Sequence, residues 1–180
     1  MYLRNRLWAI TFGALAFGQR YVAETLKISF YSDAPLEKIS AENAKGCYSH
    51  VDFGTDSVYV RVKIRSFSFP NKLMEEHFNE NYMESEKYPY AYFWGKLVAP
   101  FPYQAPGTYA VSARGLLEIH GVRREALISG VYEVLPEGRL RLTGKFFVRP
   151  ADYKIEIPRL LWQKIAEEVQ VQFEGVYKPT

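Results

Sequence analysis

Residues 58–65 read Val-Tyr-Val-Arg-Val-Lys-Ile-Arg, an alternation of aliphatic and more polar side chains. Successive side chains of a β-strand point to opposite faces, so this stretch predicts a strand with one buried and one solvated face. The apolar parity then moves to Phe67 and Phe69, which favours a β-bulge near Arg65 and Ser66. The stretch therefore predicts a long strand that is distorted at its end.

The same alternation recurs along the chain, at 109–119 around Gly115, at 140–148 around Gly144 and at 169–173. Weaker strand candidates are 26–32, 46–53, 91–98 and 125–134, and turn signals stand at 54–56, 120–122 and 136–138. About eight strands with short connections predict an all-β, antiparallel fold. Long strands with internal glycines favour a closed eight-stranded β-barrel, which has room for a packed core or one small ligand.

Helix is a minor component of the pattern. Asn71 is a suitable N-cap for a short helix through Phe78. Residues 158–168 begin with proline near the first turn and predict a second short helix. The stretch 35–43 is also expected to be partly helical. We expect one or two short helices near the barrel mouth.

The first eighteen residues have the three-part layout of a secretory signal peptide. Arg4 and Arg6 precede an apolar run, and Ala16-Phe17-Gly18 ends it with small residues at the cleavage positions. We expect residues 1–18 to be removed, which leaves 19–180 as one domain. We expect this domain to be periplasmic or secreted. The apolar run is shorter than the roughly 20 residues of a transmembrane helix, and no later stretch is long enough.

The composition argues against several classes of function. The net charge is +3, and basic and acidic residues are interspersed, unlike the clustered basic face of nucleic-acid-binding proteins. Cys47 is the single cysteine, and three histidines at scattered positions, His50, His77 and His120, offer no metal-ligand spacing. No nucleophile motif or phosphate-binding loop is present, so we expect no catalytic residue, no metal and no cofactor.

The segment 77–93 carries a resemblance to a known family. It reads His-Phe-Asn-Glu-Asn-Tyr-Met-Glu-Ser-Glu-Lys-Tyr-Pro-Tyr-Ala-Tyr-Phe, and its Lys-Tyr-Pro, alanine and phenylalanine follow the order of the YceI-like signature. The stretches 115–122 and 149–155 resemble that family's later hairpin and its "R-x-D-F-x-I" segment, and 64–67 resembles an earlier strand end. Together they resemble the family over about residues 26–178.

The resemblance implies a lipocalin-like, extended eight-stranded barrel that holds an isoprenoid or other long-chain lipid in its interior. It also implies export, which agrees with the N-terminal pattern. Members of the family can dimerise, and nothing in this sequence decides whether a homodimer forms.

An apolar interior is also predicted from the residues themselves, since twelve large side chains lie on inferred inward faces or on segments that could cap the barrel. These candidate ligand-binding residues are Phe30, Phe67, Phe69, Met74, Phe78, Met83, Phe93, Leu117, Phe146, Ile155, Trp162 and Phe173. The alternative is a closed, fully packed barrel that acts through its surface as an envelope interaction or stress-protection module. The aromatic residues Tyr88, Tyr90, Tyr92 and Trp94 would mark that surface.

Overall fold

The computed structural model describes residues 20–99, 102–157 and 165–180. These residues form nine antiparallel strands and one α-helix, α1, over Lys72–His77. The strands are β1 Arg20–Asp33, β2 Lys38–Asn43, β3 Cys47–Asp52, β4 Ser57–Lys63, β5 Tyr90–Leu97, β6 Gly107–Ile119, β7 Val122–Val134, β8 Leu140–Val148 and β9 Val169–Pro179. Pairing between β1 and β9 closes the sheet into a barrel.

Nine strands make eight positions around the barrel, because β2 and β3 share one. β1 pairs with β3 through Arg20–Val22 at one end and with β2 through Ile28–Asp33 at the other. β2 and β3 are thus two halves of a broken strand that runs antiparallel to β1. The predicted closed, antiparallel, eight-stranded barrel is confirmed.

The break between β2 and β3 is stabilised by Asn43, whose side chain is completely buried. Its amide Nδ2 donates to the Lys63 carbonyl at 2.9 Å, and its Oδ1 accepts from the Gly46 amide at 2.8 Å. A Cβ on Gly46 would lie in a steric clash with Ser66, so the chain can turn this closely only with glycine. The broken strand is therefore held to β4 by a side chain where the β-ladder stops.

Two local predictions were wrong. The stretch 35–43 is not helical: a turn after Asp33 leads into β2, whose Ile39 and Ala41 face the barrel interior. The strand that begins at Ser57 ends in a 3₁₀ turn over Ile64–Ser66 instead of a bulge. That turn carries the chain out of the wall, and Phe67 and Phe69 continue as buried residues.

The predicted helix after Asn71 is present as α1. The Asn71 Oδ1 accepts from the amides of Leu73 at 2.9 Å and Met74 at 3.4 Å, as an N-cap should. A single π-helical turn, Phe78–Tyr82, follows directly. The predicted helix at 158–168 lies largely outside the described residues, and so does the predicted signal peptide at 1–18.

The two ends of the barrel differ in what covers them. One end, which we call the mouth end, carries α1. It is formed by residues 34–37, 64–89, 120–121 and 149–157. The far end is formed by 53–56, 102–106 and 135–139. Within the described ranges, no helix has the length and apolar character needed to cross a membrane.

Candidate functional site

The barrel interior holds a cavity of about 320 Å³, which is at the lower end of the range for small-molecule pockets. Inward side chains from every position around the barrel contribute to its wall, including Val58, Val60 and Val62 from the alternating stretch of β4. The alternative of a fully packed barrel requires an interior filled by side chains. The cavity shows that the interior is not filled.

Eleven of the twelve candidate residues lie on this cavity wall. They are Phe30, Phe67, Phe69, Met74, Phe78, Met83, Phe93, Leu117, Phe146, Ile155 and Phe173. The twelfth, Trp162, lies outside the described residues. Five of them lie on strands, where parity places them inward, and the other six lie on the segments 64–89 and 149–157 at the mouth end. Their binding of a ligand stays a prediction.

Four phenylalanines form a cluster at the mouth end of the cavity. The ring of Phe30 lies 5.3 Å from Phe67, 5.7 Å from Phe69 and 5.4 Å from Phe78, measured between centroids. Phe30 comes from β1, whereas Phe78 comes from the π-helical turn that follows α1. The helix thus places an aromatic ring against the barrel wall and helps to cover this end of the cavity.

The far part of the cavity has tyrosine and serine hydroxyls in an otherwise apolar wall. The Tyr177 hydroxyl donates to the Ser49 Oγ at 2.9 Å, and both residues are buried. Burial raises the pKa of Tyr177 to about 12 and that of Tyr132 to about 12 as well. Both tyrosines are therefore neutral hydroxyls at physiological pH.

Sequence analysis did not identify these hydroxyl-bearing residues. Tyr177 has the same parity as Val171 and Phe173, so extending the β9 alternation by two more pairs of residues would have found it. Ser49 had no comparable signal, because a small polar residue in a weak strand is more often exposed.

None of the described residues that line the cavity has a charged side chain. An ionised group inside would be costly without a partner, whereas an apolar chain gains about 0.8 kcal/mol for each methylene removed from water. The cavity is chemically suited to an uncharged, mostly apolar molecule. Elsewhere, the described part of the chain brings no three potential metal-ligating residues together.

His120 joins three segments at the mouth end. Its Nδ1 lies 3.2 Å from the Tyr153 carbonyl oxygen, and its Nε2 lies 2.7 Å from the Glu84 carboxylate. The Tyr88 ring packs edge-on against the imidazole, with centroids 4.4 Å apart. The turn between β6 and β7 is thereby tied both to the segment before β5 and to the segment after β8.

The other aromatic residues of the alternative hypothesis lie on the outer face of the barrel. Tyr92 and Trp94 on β5 stack with ring centroids 4.9 Å apart. Arg61 on β4 lies over the rings of Tyr48 and Tyr90, at 5.8 Å and 5.4 Å from their centroids. Tyr92 also borders the cavity, whereas Tyr48, Tyr90, Trp94 and Arg61 are not among the residues that line it.

The YceI-like domain family matches residues 21–177, nearly the whole described chain. The chain belongs to this family. The resembling stretches around 77–93, 115–122 and 149–155 are the three segments that meet at His120, so the YceI-like signature marks the mouth end of the barrel. No curated protein matches the chain by sequence.

Solved structures with the same fold are distant in sequence. A polyisoprenoid-binding domain from Saccharophagus degradans, implicated in plant cell wall breakdown, is 15% identical with a TM-score of 0.76, covering 89% of this chain and 98% of that one. Burkholderia cenocepacia BcnA is 18% identical with a TM-score of 0.64, covering 84% and 95%. A Campylobacter jejuni YceI protein is 14% identical with a TM-score of 0.52, covering 74% and 80%.

Proposed function

We propose that the protein is an exported, non-enzymatic binding protein that holds the apolar chain of an isoprenoid or acyl lipid inside its barrel, for carriage or storage. The observation that carries this proposal is the barrel cavity, whose described lining is apolar apart from tyrosine and serine hydroxyls. The similarity to a domain described as polyisoprenoid-binding supports the same class of ligand.

Binding by such a cavity requires few polar contacts. Each buried methylene contributes about 0.8 kcal/mol, so a long chain gains affinity from its length. The described lining residues include no carboxylate, imidazole or thiol that could serve as a base, which favours binding over catalysis. Export is proposed from the layout of residues 1–18.

The direct test is lipid mass spectrometry on protein purified without detergent from its native host. We expect one class of isoprenoid or acyl lipid in a near-equimolar amount. Folded protein that carries no lipid, and takes up neither geranylgeraniol nor palmitate, would contradict the proposal.

A pair of matched variants ties the bound lipid to the cavity. Ala113 on β6 is buried on the cavity wall, whereas Ala110 on the same strand is exposed on the outer face. Ala113→Phe fills part of the cavity and should reduce the bound lipid several-fold, although overpacking also costs about 1–3 kcal/mol of stability. Ala110→Phe should keep full loading, and equal loading of the two folded variants would argue against the cavity as the site.

Export is tested on the full-length chain in a Gram-negative host. We expect the protein in the periplasmic or extracellular fraction, with an N-terminus at Gln19 by intact mass. Retention of residues 1–18 in a cytoplasmic fraction would contradict this part of the proposal.

A further inference from the structure

One seam in the barrel wall lacks a β-ladder over half its length. β7 pairs with β6 along all of Val122–Val134, but with β8 only from Gly130↔Gly144 to Val134↔Leu140. Residues 145–148 of β8 pair with β9 alone. Among the described residues, the wall between 122–129 and 145–148 is therefore not joined by strand pairing.

The last pair before the seam consists of two glycines with a phenylalanine ring beneath them. A Cβ on Gly144 would lie 2.2 Å from Cζ of Phe173, and a Cβ on Gly130 would lie 3.3 Å from the same atom. Gly130 and Phe173 line the inner cavity, and they also line a shallow groove on the outer surface. At this point the cavity and the outside are separated by little more than one backbone pair and one ring.

Closer to the mouth end, a turn takes the place of strand pairing. The 3₁₀ turn Pro150–Tyr153 lies against β7, where the Arg124 Nε donates to the Asp152 carbonyl at 3.1 Å. Tyr153 is buried in one cluster with Val148, and Val122 packs against that cluster. Side-chain contacts therefore close this part of the wall, and they can separate without breaking a backbone ladder.

Both edges of the seam expose a large apolar side chain. Leu127 on β7 is 52% exposed, and Phe147 on β8 is 59% exposed. Each lies three residues beyond the glycine pair, on the outward face of its strand. Exposed apolar groups on both sides of the seam are suited to contact with a lipid chain or an apolar surface.

We propose that the β7–β8 seam is a lateral port through which the lipid chain passes into the cavity, with the Phe173 ring as its inner cover. This inference rests on the proposed function. A sideways route lets a polar head group stay in the outer groove, where the charged residues Lys27, Lys145 and Glu174 lie, while the uncharged interior receives only the chain. Opening requires the ring and the 150–153 turn to move, and the paired strands remain intact.

The test locks the seam with a disulfide. Ser129 and Lys145 are the next positions in register beyond the glycine pair, and both are exposed. The variant S129C/K145C is made in a C47A background and compared with S112C/S129C, which links Ser129 to β6 at a pair whose hydroxyls are 2.8 Å apart. A short bismaleimide crosslinker replaces the disulfide if the sulfurs are too far apart, and protein that is not crosslinked then takes the place of the reduced sample.

Uptake of cis-parinaric acid, followed by its fluorescence, gives the rate of loading. We expect the locked seam to load at least tenfold more slowly, with recovery on reduction, and the β6–β7 link to have no effect. Equal rates for locked and reduced seam protein would overturn the port while leaving lipid binding intact. Reduced and wild-type protein that take up no parinaric acid, geranylgeraniol or palmitate would overturn both proposals.

A second pair of variants tests the edges without a crosslink. L127S/F147S should slow transfer of parinaric acid from phosphatidylcholine vesicles several-fold. L116S removes another exposed leucine, on β6 away from the seam, and should leave the rate unchanged. The same rate for both variants would argue against access at the seam.

Discussion

At the scale of single residues, Tyr177 shows how a polar group is accommodated in an apolar wall. Its hydroxyl donates to Ser49, so the group is paired although it is buried. The residue also has a testable titration, because burial raises its pKa from 10.0 to about 12.

We expect this tyrosine to make stability fall with rising pH in the alkaline range. Below about pH 10 both the folded and unfolded states hold the proton, so stability does not change. Between about pH 10 and about pH 12 the unfolded chain releases a proton that the folded chain keeps, which favours unfolding by up to about 1.4 kcal/mol per pH unit. Urea unfolding at about pH 9 and about pH 11 measures the difference.

Tyr177→Phe should reduce the loss of stability between these two pH values. Tyr132, whose pKa is raised to about 12 mainly by burial, should contribute with the same sign. A Tyr177→Phe protein with the same alkaline loss as wild type would show that the buried hydroxyl does not titrate in this way.

Strand parity predicted the candidate cavity residues that lie on strands, since inward positions of an alternating strand are fixed by their spacing. Phe93 and Leu117 are examples, and both are buried. Met74 and Phe78 lie on α1 and the turn after it, and they were predicted because they belong to a segment that could cap the barrel mouth. Ser49 was missed because its hydrogen-bond partner, Tyr177, is 128 residues away in sequence.

At the scale of elements, the sequence predicted where strands lie better than it predicted where a strand breaks or where strand pairing stops. The stretch 38–52 was divided between a helix and a weak strand, because the break between β2 and β3 interrupts the alternation. Asn43 and Gly46 mark that break, but their contacts are with Lys63 at the end of β4 and with Ser66 in the 3₁₀ turn after it, both later in the chain. The unpaired β7–β8 seam could not be predicted either. The alternation of apolar and polar residues indicates which face of a strand a residue lies on, but not how far two strands remain hydrogen-bonded.

His120 is the element-scale test, because it connects segments that no strand pairing holds together. His120→Ala removes two hydrogen-bonding contacts, and we expect a loss of about 1–3 kcal/mol of stability. Hydrogen exchange should become faster in 84–90 and 150–155 and stay unchanged in β9. His77→Ala, at the exposed end of α1, is the control. Protection unchanged in both segments would show that His120 does not hold them.

At the scale of the whole molecule, closure of the barrel and openness of its interior have opposite effects on stability. Closure pairs β1 with β9, which leaves no free sheet edge there and stabilises the fold. A cavity destabilises it, because its lining lacks packing contacts that a filled core would have. A ligand that fills the cavity recovers those contacts in the folded state only. Lipid loading and folding stability must therefore be linked.

This linkage gives the last prediction. At a free lipid concentration about 100 times the Kd, binding to the folded state alone adds about 2.7 kcal/mol of stability. Delipidated wild type and Ala110→Phe should gain this increment when loaded with geranylgeraniol, measured by urea unfolding, because their cavity is open. Ala113→Phe should gain much less, since its new ring already occupies part of the space. If all three proteins gain equally, the lipid stabilises them from outside the barrel, and the barrel cavity is not where it binds.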